Sequence, residues 1–385
     1  MKYYIIAGEA SGDLHGSNLI KELTKLDAAA QYRAWGGDKM KALGINLVKH
    51  HKDLAFMGFV EVLKNLFTII RNLNFCKHDI LQFKPDALIL IDYPGFNLRL
   101  VKWAKQKGFK VIYYISPQVW AWKESRVSLI KKYVDKMIVI LPFEKAFYQK
   151  HGYDVEYVGH PLVTIVEDYM QQKELQVTNY ELPEVAVLTH ATDDLKKHSN
   201  IIALLPGSRK QEIEKMLPLM LETTLSFADY EFIVAKAPGI TDEFYYKLLL
   251  PYDNVSVSDQ TYSILKLSKA ALVTSGTATL ETALFEVPEV VCYKGSNISY
   301  QIAKRLIKLN FISLVNIIMD KEVVIELIQK DFTVENIKHE LNELLTNEVL
   351  QKQIQNDYRE LKKLLGQGGD ASPNAAKIIY DFAKV

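Results

Sequence analysis

The stretch KYYIIAGEASGDLHG, residues 2–16, decides the fold. Its apolar half, Lys2–Ala7, reads as a buried β-strand. Gly8 stops that run, and a helical pattern follows from about Leu14 to Leu26. The same grammar returns at residues 201–212, IIALLPGSRKQE. There the strand-like Ile201–Leu205 passes through Pro206-Gly207 into a helix from about Gln211 to Phe227. Between the two lie apolar, β-rich runs at Ala87–Ile91, Val111–Ile115 and Met137–Leu141. After the second come Phe232–Ala235, Val255–Val257, Ala270–Thr274 and Val290–Tyr293. Strands that are apolar along their whole length have both faces covered, and strands that alternate with helices pair in parallel. The chain therefore reads as α/β, with two doubly wound, Rossmann-like domains.

The 385 residues suit two domains, at roughly 100–200 residues each. The expected limits are 1–170 and 171–365. The last segment, 366–385, is a flexible joint at Gly366–Asp370 followed by a helix to about Lys384, with Ser372 as its N-cap and Pro373 in its first turn. Residues 178–199 are polar and irregular and read as a surface insertion or hairpin opening the second domain.

Composition narrows the function classes. Hydrophobic residues at 49% and charged residues at 24% are close to a globular average, which excludes a disordered, collagen-like or disulfide-scaffold chain. Lys plus Arg number 47 and Asp plus Glu 46, so no global charge points to nucleic acid. The window 99–132 is locally basic: Arg99, Lys102, Lys105, Lys107, Lys110, Lys123, Arg126, Lys131 and Lys132 stand against the single acid Glu124. It reads either as a surface for an anionic ligand or membrane, or as solvated helix faces. The two cysteines, Cys76 and Cys292, have no metal-type spacing and suit a reducing cytosol. The apolar run after Met1-Lys2 is too short for a signal peptide, and no run approaches the ~18 residues of a membrane span.

Several loops carry residues suited to chemistry. In Gly8–Gly16 the glycines are spaced by four, so neither a dinucleotide fingerprint nor a P-loop is present. The loop still lies where open α/β sheets bind ligands. Glu9 is a ligand candidate there, while Ser11 and Asp13 are equally explained as caps of the helix. Asp92 ends the run Ala87–Ile91 and is a candidate general base; a turn-forming Asp before Pro94 is the plainer alternative. Trp120 and Trp122 lie beyond another strand end and read as lining of an acceptor or sugar pocket, or as core anchors. Gly207, Ser208 and Arg209 form a glycine turn at a helix start. Free N–H groups, the helix dipole and a forked cation there suit a pyrophosphate. Ser208 with Gln211 also reads as a capping box. Ser275, Gly276 and Thr277 permit close backbone approach at a third helix start, and Glu281, one turn in, suits two vicinal ribose hydroxyls. Tight small-residue packing beside an exposed Glu281 is the alternative. His15 and His160 are candidate polar pocket residues, and none of the nine histidines has metal spacing.

Residues 59–73, FVEVLKNLFTIIRNL, form the clearest amphipathic helix. Phe59, Leu63, Leu66, Phe67 and Ile70 lie on its apolar side. A core helix looks like this, and so does a lipid-facing surface.

The ordered set GEASGDLHG (8–16), MGFVEVL (57–63), IDYPGFN (91–97), YISPQVWAW (114–122), LPFEKAFY (141–148), VGHPL (158–162), LLPGSRKQEI (204–213), TSGTATLE (274–281) and SLVN (313–316) resembles the lipid-A-disaccharide synthase family, glycosyltransferases of the GT-B fold. Gly95 stands where the family usually has Asp, and Val315 where it often has Pro. The resemblance implies inverting transfer from UDP-2,3-diacylglucosamine to 2,3-diacylglucosamine 1-phosphate, giving a β-1,6 disaccharide and UDP. It implies a peripheral enzyme on the cytoplasmic face of the inner membrane, with a membrane-associated helix near 56–74. No metal or other cofactor is expected, and a homodimer is compatible with it. It places Gly207, Ser208, Arg209, Ser275, Gly276 and Thr277 about the UDP pyrophosphate, with Arg209 offsetting the leaving-group charge and Glu281 on the ribose. Asp92 is then the base, and Glu9, Ser11 and Asn316 line the cleft. The alternatives are a UDP-N-acetylglucosamine 2-epimerase, which needs no lipid-facing helix like 59–73, and a non-catalytic sugar-nucleotide-binding membrane protein, against which Asp92 and Arg209 argue.

Overall fold

A computed structural model describes residues 1–54, 66–175, 200–295, 300 and 309–385. The chain divides into two compact units, Met1–Pro161 with Leu365–Val385, and Leu162–Leu364. The first unit ends at Pro161 rather than at 170, because the helix Pro161–Leu175 carries the chain into the second.

The first unit is built on seven parallel strands: β1 (Lys2–Ala7), β2 (Gln31–Gly36), β3 (Asn46–His50), β4 (Ala87–Ile91), β5 (Val111–Tyr114), β6 (Lys136–Val139) and β7 (Glu156–Tyr157). Their order is β3-β2-β1-β4-β5-β6-β7. The central β4 and β5 are buried at every position, as continuous apolar strands between two helical layers should be. Each buried Ile or Leu contributes about 1.5–3 kcal/mol. The core also holds polar ends, which are paired. Tyr4 Oη donates to Asp79 (2.7 Å), Trp35 Nε1 donates to Tyr4 Oη (2.9 Å), and Arg33 Nε reaches Asp79 (2.8 Å). The strand order reverses between β1 and β4, where Ala7 pairs with Ile91. The loops that leave these two strands, with Glu9 and Asp92, therefore share the carboxyl edge at the point where such sheets open a crevice.

The second unit has six parallel strands: β8 (Ile201–Leu205), β9 (Glu231–Ala235), β10 (Val255–Ser258), β11 (Ser268–Thr274), β12 (Glu289–Tyr293) and β13 (Ile325–Ile328). Their order is β10-β9-β8-β11-β12-β13. The reversal falls between β8 and β11, with Leu205 opposite Val273. The Gly207 and Gly276 loops leave the sheet side by side at that point.

Several expectations change. The first helix runs Ala10–Leu26, four residues earlier than its apolar pattern suggested. The last helix, Ala371–Lys384, has Asp370 rather than Ser372 at its N-cap, and it packs along Ala10–Leu26. The Gly366–Asp370 segment is a tight crossing more than a loose joint. A Cβ on Gly159 would lie 2.3 Å from the Gly369 carbonyl oxygen, and one on Gly368 would lie 2.0 Å from the Gly159 nitrogen. Only bare backbone passes there. The amphipathic helix, described over Leu66–Phe83, continues ten residues beyond 73. Phe59, Leu63, the Leu66 side chain and residues 178–199 lie outside the described residues.

Candidate functional site

Each unit presents one cluster at its sheet's switch point. In the first, Asp92 and Tyr93 both adopt left-handed backbone angles (φ 42° and 49°). Such non-glycine conformations cost on the order of 1–3 kcal/mol each and need support from their surroundings. Support comes from two side chains that sequence reasoning passed over. Asn97 Nδ2 donates to the Asp92 carbonyl (2.8 Å), and Tyr113 Oη donates to the same oxygen (2.5 Å). Asn97 is buried beneath the loop and stands in the IDYPGFN stretch. Gly8 is required opposite, because a Cβ there would enter the Tyr93 ring.

The Asp92 carboxyl is half-buried. Burial, then the charge of Glu9, pushes its pKa up to about 7. The turn reading of Asp92 holds, and a carboxyl shifted towards neutrality at that position is compatible with the general-base expectation. Glu9 occupies the N-cap of Ala10–Leu26 without a side-chain capping bond. Ser11 is exposed in the first turn and does not cap that helix. Asp13 does not cap it either. Its carboxylate accepts the amides of Gly37 (2.7 Å), Lys39 (3.0 Å) and Met40 (3.1 Å) and so caps the next short helix, Asp38–Lys41.

The two tryptophans separate. Trp120 is half-buried, edge-on to Phe143, and donates through Nε1 to Glu144 (3.2 Å). Glu144 is buried, takes the amides of Ile140 and Leu141, and is pushed up to about 7 by burial. Trp120 is therefore an anchor. Trp122 is 47% exposed, with Lys123 Nζ 4.0 Å from its ring centroid and Arg126 Cζ 5.8 Å away. Within the basic window, Lys110 is spent on the carbonyls that end the last helix, Lys105 on Asp135 and Lys131 on the His151 carbonyl. Arg99, Lys123 and Arg126 have no acidic partner among the described residues. Burial and the neighbouring like charge shift Lys123 and Arg126 downward. His15 and His160 are buried, and desolvation lowers them to about 4 and about 3. Both are neutral interior groups rather than pocket residues open to solvent.

In the second unit Gly207 takes φ +119°, and the helix Lys210–Thr224 begins with Arg209 at its N-cap. The capping box expected from Ser208 and Gln211 is absent. Glu212 takes its place, accepting the Ser208 amide (3.2 Å) and pairing with Arg209 Nη1 (3.0 Å). Gly276 takes φ +154° at the start of Thr277–Leu284, with open space where its Cβ would be. Ser275 Oγ donates to the Ile312 carbonyl (2.9 Å), and Thr277 is exposed. Glu281 is half-buried rather than exposed. Tyr262 Oη donates to it (3.0 Å), and burial pushes it up to about 6.

Asn316 does not line a cleft. It is fully buried, donates through Nδ2 to the Val324 carbonyl and Glu326, and accepts the amides of Val323 and Val324. With its amide saturated it braces the loop that receives Ser275. Glu326, which also accepts the amides of Ile312 and Ser313 (both 2.9 Å), completes the brace. Among the described residues no group of three His, Cys, Asp or Glu side chains is placed to hold a metal ion, and no helix is long and apolar enough to cross a membrane.

A family profile described as lipid-A-disaccharide synthetase matches residues 3–379. The chain belongs to the lipid-A-disaccharide synthetase family. Lipid-A-disaccharide synthase of Geobacter sulfurreducens is 37% identical over 98% of this chain and 96% of its own. That of Coxiella burnetii is 35% identical over 98% and 97%. Family membership makes the chain a glycosyltransferase of lipid A disaccharide synthesis. Solved structures share the two-domain GT-B fold at low identity. UDP-GlcNAc 2-epimerase from Neisseria meningitidis, bound to UDP-GlcNAc, has TM-score 0.65, 13% identity and 99% coverage of both chains. The calicheamicin glycosyltransferase has TM-score 0.58 and 14% identity, covering 100% of this chain and 98% of its own. The epimerase likeness is one of fold, and family membership decides against the epimerase reading.

Proposed function

We propose that this family member transfers a 2,3-diacylglucosamine unit from UDP to the 6-hydroxyl of 2,3-diacylglucosamine 1-phosphate, inverting the anomeric centre and releasing UDP. The match over residues 3–379 carries the reading, and the geometry supplies a mechanism. Asp92 takes the hydroxyl proton as the oxygen attacks the anomeric carbon. A carboxyl with a pKa of about 7 is matched to that task at neutral pH. Glu9 tunes it, while Asn97 and Tyr113 hold its backbone in place.

The second unit binds UDP. Gly207, Ser208 and Arg209 receive the diphosphate, with Ser275, Gly276 and Thr277 beside it. Charge developing on the leaving group is met by amides at the helix starts and by the Arg209 guanidinium, so the transfer needs no resident metal. Glu281, oriented by Tyr262, accepts the ribose hydroxyls. Lys123 and Arg126, over the exposed Trp122, with Arg99 near Arg126, receive the acceptor's phosphate. Phe67 and Ile70, 88% and 46% exposed, rest on the lipid surface that presents both acylated substrates on the cytoplasmic face of the inner membrane. Incubating purified protein with both diacylglucosamine substrates and identifying the product tests the reading: a β-1,6 disaccharide 1-phosphate supports it, and no transfer overturns it.

A further inference from the structure

The Gly207 loop already holds an anion. Glu212 reaches back one turn, and its two oxygens occupy two different donors. Oε2 accepts the Ser208 N–H (3.2 Å), and Oε1 pairs with Arg209 Nη1 (3.0 Å). The carboxylate also fills the hollow of the loop, since a Cβ on Gly207 would lie 2.9 Å from Glu212 Oε2 and 2.9 Å from its Cβ. Gly207, Ser208 and Arg209 are the residues that the proposed function assigns to the diphosphate. A diphosphate and this carboxylate cannot share them, because both are anionic and both need the same N–H groups.

We infer that Glu212 is an internal occupant of the diphosphate site, displaced when the UDP-sugar binds and returning when UDP leaves. The inference rests on the donor reading above. Glu212 and Arg209 are both partly exposed, so displacement is cheap and the carboxylate competes rather than blocks. Its effect is to keep the loop and the Arg209 fork arranged while the site is empty, and to weaken the hold on the product UDP.

Two variants separate this role from others. Glu212→Gln removes the charge. Glu212→Asp keeps the charge but withdraws it by one methylene, out of reach of the Ser208 amide and Arg209 together. Calorimetric titration with UDP is the readout, with thermal melting as a check on folding. Internal competition predicts tighter UDP binding in both variants, by about two- to fivefold, the range of a partly exposed ion pair. UMP, which lacks the second phosphate, should respond less. Tighter binding in Gln alone would mean a diffuse field effect and would overturn the inference. So would unchanged or weaker UDP binding in both variants, which would make Glu212 a support for the helix start. If the unsubstituted chain binds no UDP, the donor reading itself falls, and this inference with it.

Discussion

Glu9 and Asp92 stand at the carboxyl ends of neighbouring strands, and the charge of one opposes ionisation of the other. With burial this holds the Asp92 pKa at about 7. A base works only when deprotonated, so turnover at low acceptor concentration should rise through about pH 7 and level above it. Glu9→Gln removes the like charge, leaving burial as the main cause of the shift. The rising limb should then move to lower pH. A limb that stays in place in a folded Glu9→Gln protein would uncouple the two residues.

Asp92→Asn keeps the shape and removes the basicity. Loss of a positioned base typically costs about 10²–10⁴-fold in turnover, and UDP affinity should stay intact because the residues proposed to bind the donor belong to the other unit. The same variant has a stability signature. A carboxyl whose folded pKa lies above its unfolded value opposes folding once it ionises, so the native chain loses stability as pH rises from about 4 through 7. Asn removes that loss. The melting temperature of Asp92→Asn relative to the unsubstituted protein should therefore be higher at pH 8 than at pH 4. Near-normal turnover would take Asp92 out of the mechanism.

Arg209→Ala removes the forked cation from the diphosphate loop. A hydrogen bond to a charged group is worth about 1.5–3 kcal/mol. The guanidinium is half-exposed, so the lower end applies and UDP affinity should fall by about tenfold. Activity should survive treatment with chelators. Inhibition by chelators that is reversed by added Mg²⁺ would contradict the metal-free account.

The helix Leu66–Phe83 turns Asn72, Cys76, Asp79 and Ile80 inward and Phe67 and Ile70 outward. Replacing Phe67 and Ile70 together with Ser should reduce co-sedimentation with anionic vesicles by about tenfold or more, given about 1.5–3 kcal/mol for each large apolar side chain removed from water. Melting should change little, because both are already exposed. Unchanged co-sedimentation would remove this face from membrane docking.

Asn316→Ala should cost stability, about 1–3 kcal/mol for the buried partners left unsatisfied, read from chemical denaturation. The amides of Val323 and Val324 and the carbonyl of Val324 lose their partner, while Glu326 keeps the amides of Ile312 and Ser313. Donor affinity should weaken as well, since the loop that holds Ser275 loosens. A stable variant with ordinary donor affinity would deny the brace.

The strands most legible in the chain are those buried on both faces, although the half-buried edge strand β10 is also legible at Val255–Val257. β1, β4, β5 and β8 are continuous apolar runs because nothing polar survives between two helical layers. Three of the four edge strands, β3, β7 and β13, and β2 beside one of them, are not legible in this way. NLVKH, EY, IELI and QYRAWG mix polar with apolar residues because solvent or a polar partner meets one side of each. The glycine loops at strand ends were equally legible, since a sharp turn and a close ligand approach both demand glycine. Order along the chain was thus enough to place the loops at the strand ends and the family, while the switch points follow from the sheet order.

What the order could not decide was what each polar side chain touches. Asp13 and Asn316 have the residue types and positions of ligand or capping groups, yet each is consumed by backbone amides, Asp13 by those of residues 37–40 and Asn316 by those of 323 and 324. The apolar pattern of 59–73 left core and lipid-facing readings open, and only the fold shows that Phe67 and Ile70 face outward while Asn72 is buried against Lys49. Glu212 carries no signal in the sequence, yet it accepts the Ser208 amide and pairs with Arg209 in the Gly207 loop. A side chain's residue type sets which hydrogen bonds and charges it can offer. Which of them are already taken depends on neighbours supplied by distant parts of the chain, and only the folded structure brings those neighbours within reach.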